Sequence, residues 1–318
     1  MAIHKEDKLA PDDIAASRSF ETRAAGGVYR SALRFLFLNQ ETNQHYVPQQ
    51  AEGEGIPRII HQTHRSMDEL PSSVRDSIAA LRKRNPAWEY RFYDDRAVTD
   101  FIGAEYGDRV LGYYQRIDDR YSAARADLFR YLLMYRVGGV YLDIKSTIKP
   151  ALDDLIMPGD RMLLSQWSQT GRFFGAGLHD WDFAGKISGG ELQQWHVICA
   201  DGHSYLYAVI NAIMRNIECY VPAMHGTGRN AVLRVTGPIA YTLAVLPLLH
   251  RRLHRFVGGH EEAGLQYSVY DDNTHHKRLF KSHYTDLTEP VVLPTLRSRT
   301  LSAIYCAADT VRHWRFGR

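Results

Sequence analysis

The stretch RYLLMYRVGGVYLDIKSTIKP, residues 130–150, contains the signals that decide the fold. Its first eight residues are mostly apolar or aromatic and stop at Gly138-Gly139, a pair typical of a helix C-terminus. A short apolar run, VYLDI, follows; it contains Asp143, and Lys145 comes two residues later. The stretch therefore predicts a helix and then a strand that ends in a carboxylate and an ammonium group.

The residues before this stretch repeat the same alternation. IPRIIHQTH predicts a strand that ends in polar residues, LPSSVRDSIAALRKRN a helix that starts at Ser72 or Ser73, and PAWEYRFYDD a second strand. Strands that alternate with helices predict an α/β fold with a mostly parallel, Rossmann-like sheet and flanking helices. Ligands of such sheets bind beyond the carboxyl ends of the strands.

The pattern is weaker after residue 150. RMLLSQW and QQWHVICA resemble strands, whereas SYLYAVINAIMRNIECY and VTGPIAYTLAVLPLLHRRL resemble helices, the second entered through a turn. A helix is also expected from Leu301. These patterns divide the chain into a polar N-terminal extension (1–55), one α/β domain (56–300) and a basic C-terminal tail (301–318).

Composition limits the class of protein. The chain has 318 residues, 45% hydrophobic and 24% charged, with a net charge of +3, and shows no clustered basic stripe, so no nucleic-acid partner is expected. Its three cysteines lack CxxC pairing, which suits a reducing compartment. We recognise neither a signal peptide nor an uninterrupted apolar span of about 18 residues, so a cytoplasmic location is expected.

Two charged residues fall on the inward arc of the predicted helix. At about 100° per residue, Asp127 and Arg130 share an arc with Ala123, Tyr131 and Met134. Isolated buried charges are costly, so the two must be paired or bound to a ligand. One hypothesis is an internal ion pair; the other is a pair that holds a polar ligand such as a sugar.

Asp143 also allows two interpretations. A single aspartate at a strand end is most often a turn residue. Here the two preceding glycines permit close backbone approach, and the strand would hold the carboxylate rigidly where α/β ligands bind.

Four motifs together resemble a known family. IPRIIHQTH, NPAWEYRFYDD, ARADLFRYLLMYRVGGVYLDI and VTGP occur in the order found in glycosyltransferases of family 32. This DXD-containing group includes the yeast initiating α-1,6-mannosyltransferase and is similar, more distantly, to the clostridial glucosylating toxins. The resemblance implies a GT-A type fold and transfer of a hexose with retention of configuration.

The resemblance also implies roles for individual residues. Asp127 and Arg130 would hold hydroxyls of the donor hexose, and Asp143, the first motif aspartate, would lie near the ribose and a divalent cation, Mn²⁺ or Mg²⁺. His283 is a further candidate metal ligand. The turn at Thr236 and Gly237 would be structural or form a wall of the acceptor cleft. The remaining candidates for the nucleotide-sugar site are His61, Gln62, Thr63, Gly139 and Tyr141.

Lys145 departs from the family pattern. It occupies the position of the second motif carboxylate, and an ammonium group cannot coordinate a cation. Either a metal is retained through Asp143 and His283, or Lys145 replaces it as a partner of the diphosphate. The second hypothesis assumes that Asp143 and Lys145, two residues apart on a strand, share a face. We treat both residues as catalytic candidates.

The expected function is that of a retaining glycosyltransferase. It would move a hexose from a UDP- or GDP-sugar to a glycan, glycolipid or lipid-linked acceptor, in surface polysaccharide biosynthesis. The alternative is an inactive nucleotide-sugar-binding protein with a degenerate motif. The tail LSAIYCAADTVRHWRFGR mixes basic and aromatic residues, which suits peripheral contact with the inner face of the membrane. A packed C-terminal helix is the other interpretation of the tail.

Overall fold

The computed structural model describes residues 45–167, 190–270 and 287–316, with side chains as far as residue 307 in the last range. Six of the described strands form a sheet in the order β2-β1-β3-β6-β5-β7. The strand bounds are β1 Ile59–Thr63, β2 Glu89–Tyr93, β3 Gly139–Leu142, β5 Met162–Gln166, β6 His196–Cys199 and β7 Arg255–Gly259. A separate pair joins β4, Thr147–Ile148, to β8, Leu265–Gln266.

The sheet is mostly parallel, as predicted. β1 pairs in parallel with β2 and β3, and β5 pairs in parallel with β7. Within this sheet β6 runs opposite to its two neighbours, β3 and β5. The expected α/β fold class, with a mostly parallel, Rossmann-like central sheet, is confirmed; the GT-A type stays a prediction.

Helices flank the sheet, and the predicted ones are present. Their bounds are α1 Ser72–Arg84, α2 Asp95–Arg116, α3 Ser122–Val137, α4 Leu152–Leu155, α5 Ser204–Glu218, α6 Pro222–His225, α7 Gly228–Val235, α8 Pro238–Val245 and α9 Leu296–Phe316. A 3₁₀ helix, Leu246–Arg251, continues α8. The final helix starts five residues earlier than the sequence indicates.

Both faces of the sheet are covered. Because successive side chains of a strand point to opposite faces, each strand contributes to two cores. In β3, Tyr141 packs with α3 and α5 in the larger core, whereas Val140 and Leu142 pack in a second core on the other face. The larger core also contains Tyr46 and Val47, so the end of the expected N-terminal extension packs on the domain. The predicted division into three regions stays a prediction.

Helix α3 is buried along most of its length. Every residue from Leu128 to Tyr135 is buried, since the helix lies between the sheet and α2 and α5. Among the described residues, the segment Gly228–Arg251 is long and apolar enough to cross a membrane, but 61% of that window is buried. It is interrupted between α7 and α8, and a core segment of a globular domain passes the same test.

Candidate active site

The glycine pair brings α3 and β3 close to their neighbours. Gly138 ends α3 with φ 69°, and Gly139 begins β3 with φ 104°. A Cβ on Gly139 would lie 2.5 Å from the Ile59 carbonyl oxygen of β1. The glycine therefore allows strand β1 to approach closely. This packing sets the direction in which β3 runs toward Asp143.

Arg130 is the centre of a buried polar network, the Arg130 cluster, which also contains Asp127, Asp143, Gln194 and Thr236. Its side chain is 4% exposed. Nη2 donates to Asp143 Oδ1 at 2.8 Å and lies 3.3 Å from Asp127 Oδ1, whereas Nη1 donates to the Gln194 carbonyl at 2.6 Å and to the Gln194 side-chain oxygen. Burial alone would lower the pKa of Arg130, but Asp143 and its other neighbours raise it.

Asp127 has partners at both carboxylate oxygens. Gln194 Nε2 donates to Oδ1 at 3.2 Å, and Thr236 Oγ1 donates to Oδ2 at 3.0 Å. Burial raises the pKa of Asp127 to about 6, although the nearby Arg130 charge acts in the opposite direction. The predicted inward position of Asp127 and Arg130 is confirmed, and they form an ion pair. Their contact with a sugar stays a prediction.

Asp143 is the most accessible carboxylate of the Arg130 cluster. Its side chain is 23% exposed, against 5% for that of Asp127. Its backbone N–H donates to the Trp195 carbonyl at 2.8 Å, and the Tyr141 hydroxyl lies 3.5 Å from Oδ1. The Arg130 guanidinium lies over the Tyr141 ring at 5.0 Å from its centroid. Asp143 is therefore fixed from several sides and still presents part of its carboxylate to solvent.

Lys145 does not lie on a strand, which corrects the argument that it shares a face with Asp143. Strand β3 ends at Leu142, and Ser146 N–H donates to the Asp143 carbonyl at 2.7 Å to close a turn. Lys145 Nζ instead donates to the Tyr267 hydroxyl at 2.9 Å and lies 4.1 Å from the centroid of that ring. The turn, rather than strand alternation, sets the direction of this side chain.

Two polar residues of β1, His61 and Gln62, form hydrogen bonds to the backbone at the ends of α3 and β3. His61 is fully buried; its Nε2 lies 3.0 Å from the Gly138 carbonyl and so donates to it, which leaves Nδ1 to accept from the Tyr93 hydroxyl at 3.1 Å. Burial lowers the pKa of His61 to about 4, so the ring is neutral at pH 7. Gln62 Nε2 donates to the Asp143 carbonyl at 3.2 Å.

Thr63 and Gly237 complete the set of predicted binding residues. Thr63 Oγ1 donates to the Tyr93 carbonyl at 2.8 Å, which joins β1 to β2. Gly237 precedes α8, and a Cβ there would lie 2.9 Å from Leu233 Cα. Contact of these residues, and of His61 and Gln62, with a nucleotide stays a prediction.

The described donor set does not fit a divalent cation. Asp143 Oδ1 already accepts from Arg130, and the second motif position carries the Lys145 ammonium, which is not a ligand. Within the described ranges no group of three or more His, Cys, Asp or Glu residues could hold a metal ion. His283, the other proposed ligand, lies outside the described residues.

Two contributors to the site were missed by the sequence analysis. Gln194 bonds to both Arg130 and Asp127, and Tyr267 holds Lys145. Both are uncharged and lie in segments of weak periodicity. The rings of Trp167 and Trp195 pack against Tyr267, with centroids 5.2 and 5.5 Å from its own.

A family model matches the part of the chain that carries three residues of the Arg130 cluster. Residues 71–162 match the family model of the glycosyltransferase sugar-binding region containing DXD motif, a segment that includes Asp127, Arg130 and Asp143. Residues 71–162 are thus similar to this sugar-binding region. The expected resemblance to the DXD-containing sugar transferases is confirmed.

Two fungal relatives are similar to the chain. Inositol phosphoceramide mannosyltransferase 3 of Schizosaccharomyces pombe is 31% identical over 105 residues, 33% of this chain and 28% of the relative. Initiation-specific alpha-1,6-mannosyltransferase of the same organism is 23% identical over 227 residues, 68% of this chain and 53% of the relative. The chain thus spans between about a quarter and a half of the length of these relatives.

One solved structure is similar over most of the chain. It is titled PaToxG Glycosyltransferase, and the match covers 90% of this chain and 94% of that one. The sequence identity is 13% and the TM-score is 0.44.

Proposed function

We propose that the protein is a retaining glycosyltransferase that moves a hexose from a UDP- or GDP-sugar to a hydroxyl of a glycan, glycolipid or lipid-linked acceptor. The observation that carries the proposal is the partly exposed Asp143 carboxylate, fixed by Arg130 within the sugar-binding region. Two relatives named as mannosyltransferases support the same class of reaction. A role in surface polysaccharide biosynthesis is part of this proposal.

The chain's own residues supply positioning. Asp143 accepts hydrogen bonds from donor hydroxyls, and Arg130 holds this carboxylate in one orientation with its charge partly offset. Gln62 and the Trp195 carbonyl fix the backbone on which Asp143 is carried. Transfer with retention can proceed on one face with the departing phosphate as base, so no protein nucleophile is required.

Lys145 favours a second candidate, an inactive protein that binds nucleotide-sugars. It replaces a motif carboxylate, as expected for a degenerate site. A panel of GDP- and UDP-hexoses separates the two candidates when binding is measured by calorimetry and hydrolysis by release of free hexose. The proposal predicts slow hydrolysis of at least one donor that binds. Binding without turnover, even with added acceptors, would favour the inactive protein, and absence of binding would contradict both.

We also propose that helix α9 contacts an anionic membrane from the cytoplasmic side. The helix packs on the domain through Ser298, which is 5% exposed, and through Ser302, whose hydroxyl accepts from the Ala223 N–H. At about 100° per residue, Leu296 and Ile304 lie on the opposite side, where they are 83% and 60% exposed. The exposed Arg297 and Arg299 flank these two residues. Exposed apolar residues between arginines are typical of an interfacial helix.

Sedimentation with vesicles that contain phosphatidylserine tests this contact. A variant with Leu296→Ser and Ile304→Ser should bind several-fold less than the parent, because the inserted apolar area is lost. Phe256→Ser is the matched control, since Phe256 is 42% exposed in β7 and not in α9. Equal binding by the parent and the double variant, or no binding by the parent, would contradict the proposal.

A further inference from the structure

Lys145 carries its positive charge where the family motif places a metal-binding carboxylate. The single motif carboxylate that remains, Asp143, is already paired with Arg130 at 2.8 Å. A divalent cation at this position would meet an ammonium group and a carboxylate whose charge is partly offset. The described residues therefore supply a cation of their own where an exogenous cation is poorly coordinated.

The position of Lys145 is set by contacts of both its side chain and its backbone. Nζ donates to the Tyr267 hydroxyl at 2.9 Å, and the Lys145 carbonyl accepts from Val269 N–H at 2.8 Å. The next residue, Ser146, donates through its hydroxyl to the Tyr267 carbonyl at 2.7 Å. The turn 143–146 and the segment 267–269 are thus joined by three hydrogen bonds, which hold the ammonium group beside the aromatic ring.

Among the described residues, no carboxylate pairs with Lys145. Over the described ranges no ion pair includes Lys145, and its hydrogen-bond partner, the Tyr267 hydroxyl, is neutral. The residue is half-buried, so part of it is exposed to solvent. A lysine in such a position can bind phosphate, because its ammonium group acts as a positive point charge and donates hydrogen bonds to the phosphate oxygens.

Contacts through Trp195 connect Lys145 with Asp143. The Trp195 carbonyl accepts from Asp143 N–H at 2.8 Å, and the Trp195 ring packs against Tyr267 with centroids 5.5 Å apart. Asp143 and Lys145 therefore border the same part of the surface, although they lie on a turn and not on one strand face.

We propose that Lys145, positioned by Tyr267, binds the donor diphosphate in place of a divalent cation. This inference rests on the proposed function. In the transfer step the bond between the anomeric carbon and the diphosphate oxygen breaks, and its electron pair stays on that oxygen. The acceptor oxygen forms the new bond to the anomeric carbon, and its proton passes to the departing diphosphate. The ammonium group of Lys145 donates to the phosphate oxygens and offsets the charge that develops on them.

Calorimetric titration of the full chain with GDP and with UDP, in EDTA and in Mn²⁺, tests the inference. The nucleotide that binds should do so in EDTA with a Kd within about twofold of that in Mn²⁺. Lys145→Ala should weaken binding at least about tenfold, the scale of one charged hydrogen bond. Lys149→Ala, on the exposed lysine of the same segment, is the control and should bind as the parent does.

Three further variants separate charge from structure. Lys145→Asp restores the second carboxylate, so its binding should be lost in EDTA and recovered in Mn²⁺. Lys145→Arg should retain most of the affinity, because the positive charge is kept. Tyr267→Phe removes the hydroxyl that accepts from Nζ and should weaken binding several-fold in the presence of Lys145 but not in the Lys145→Ala background.

The outcomes distinguish the inference from the proposed function. Binding by the parent only in Mn²⁺, or unchanged binding by Lys145→Ala, would overturn the role of Lys145 and leave the glycosyltransferase proposal intact. Absence of binding to both nucleotides in both conditions would contradict the proposed function itself and the inference with it. Circular dichroism of each variant confirms that the fold is retained.

Discussion

Arg130 and Lys145 are two cations on either side of Asp143 in the chain, and their surroundings differ. The Arg130 side chain is 4% exposed and contacts Asp127, Asp143 and Gln194. Lys145 is half-buried, and its ammonium group contacts the neutral hydroxyl of Tyr267. A buried cation whose charge is offset by carboxylates stabilises the architecture, whereas a half-buried cation beside a hydroxyl group remains available to an anionic ligand.

The largest expected effect is on stability, and it separates the two cations. Arg130→Met leaves the buried Asp127 and the partly exposed Asp143 without their cation and should lower the free energy of unfolding by roughly 3–5 kcal/mol. Lys145→Met, the matched variant, should change it by less than about 0.5 kcal/mol, because no buried charge loses its partner. Chemical denaturation at pH 7 measures both. Similar losses in the two variants would contradict the division between a buried, architectural cation and a half-buried one.

The second effect is a pH dependence within the Arg130 cluster. The folded protein raises the pKa of Asp127 from 3.8 to about 6, chiefly through burial. Between these values the folded state binds more protons at Asp127 than the unfolded state does. This residue therefore favours folding at low pH, and its contribution is lost as the pH rises from about 4 to about 6.

Asp127→Asn isolates that contribution. The stability of the parent relative to the variant should fall by about 2–3 kcal/mol between pH 4 and pH 7. Comparison with the variant cancels the contribution of His61, whose lowered pKa acts in the opposite direction. Denaturant unfolding at pH 4, 5, 6 and 7 measures the difference, and a difference that does not vary with pH would contradict the raised pKa.

A smaller effect is expected at Gln194. Gln194→Ala removes a side-chain acceptor of Arg130 and a donor to Asp127, and should lower the free energy of unfolding by about 1–3 kcal/mol. Gln266→Ala is the control, because the Gln266 amide donates locally, to the Ser268 carbonyl. Thermal unfolding compares the two variants. Equal Tm values for both would show that Gln194 is dispensable to the Arg130 cluster.

The sequence predicts the buried position of Arg130 and the fold around it well. Helical spacing places Asp127 and Arg130 on the inward arc, and the glycine pair predicts the end of α3, because burial and backbone conformation depend on local sequence. The alternation of helices and strands predicts the mostly parallel sheet for the same reason.

The environment of Lys145 could not be predicted in the same way. Its partner Tyr267 is 122 residues away, and no local pattern connects the two. The strand ends one residue before Asp143, so an argument from strand alternation gives the wrong geometry for Lys145. Gln194 was missed because a neutral side chain on a segment of weak periodicity carries no charge that requires a partner.

The central claim, that Asp143 is the donor-binding carboxylate, is tested most directly by turnover of the donor found in the nucleotide-sugar panel. Asp143→Asn should lower the rate of hexose release at least about a hundredfold, the scale of one lost transition-state contact, while the fold is retained, because Asp127 still offsets the charge of Arg130. Asp154→Asn, on an exposed carboxylate of α4, should match the parent. Release by Asp143→Asn at the rate of the parent would contradict the account.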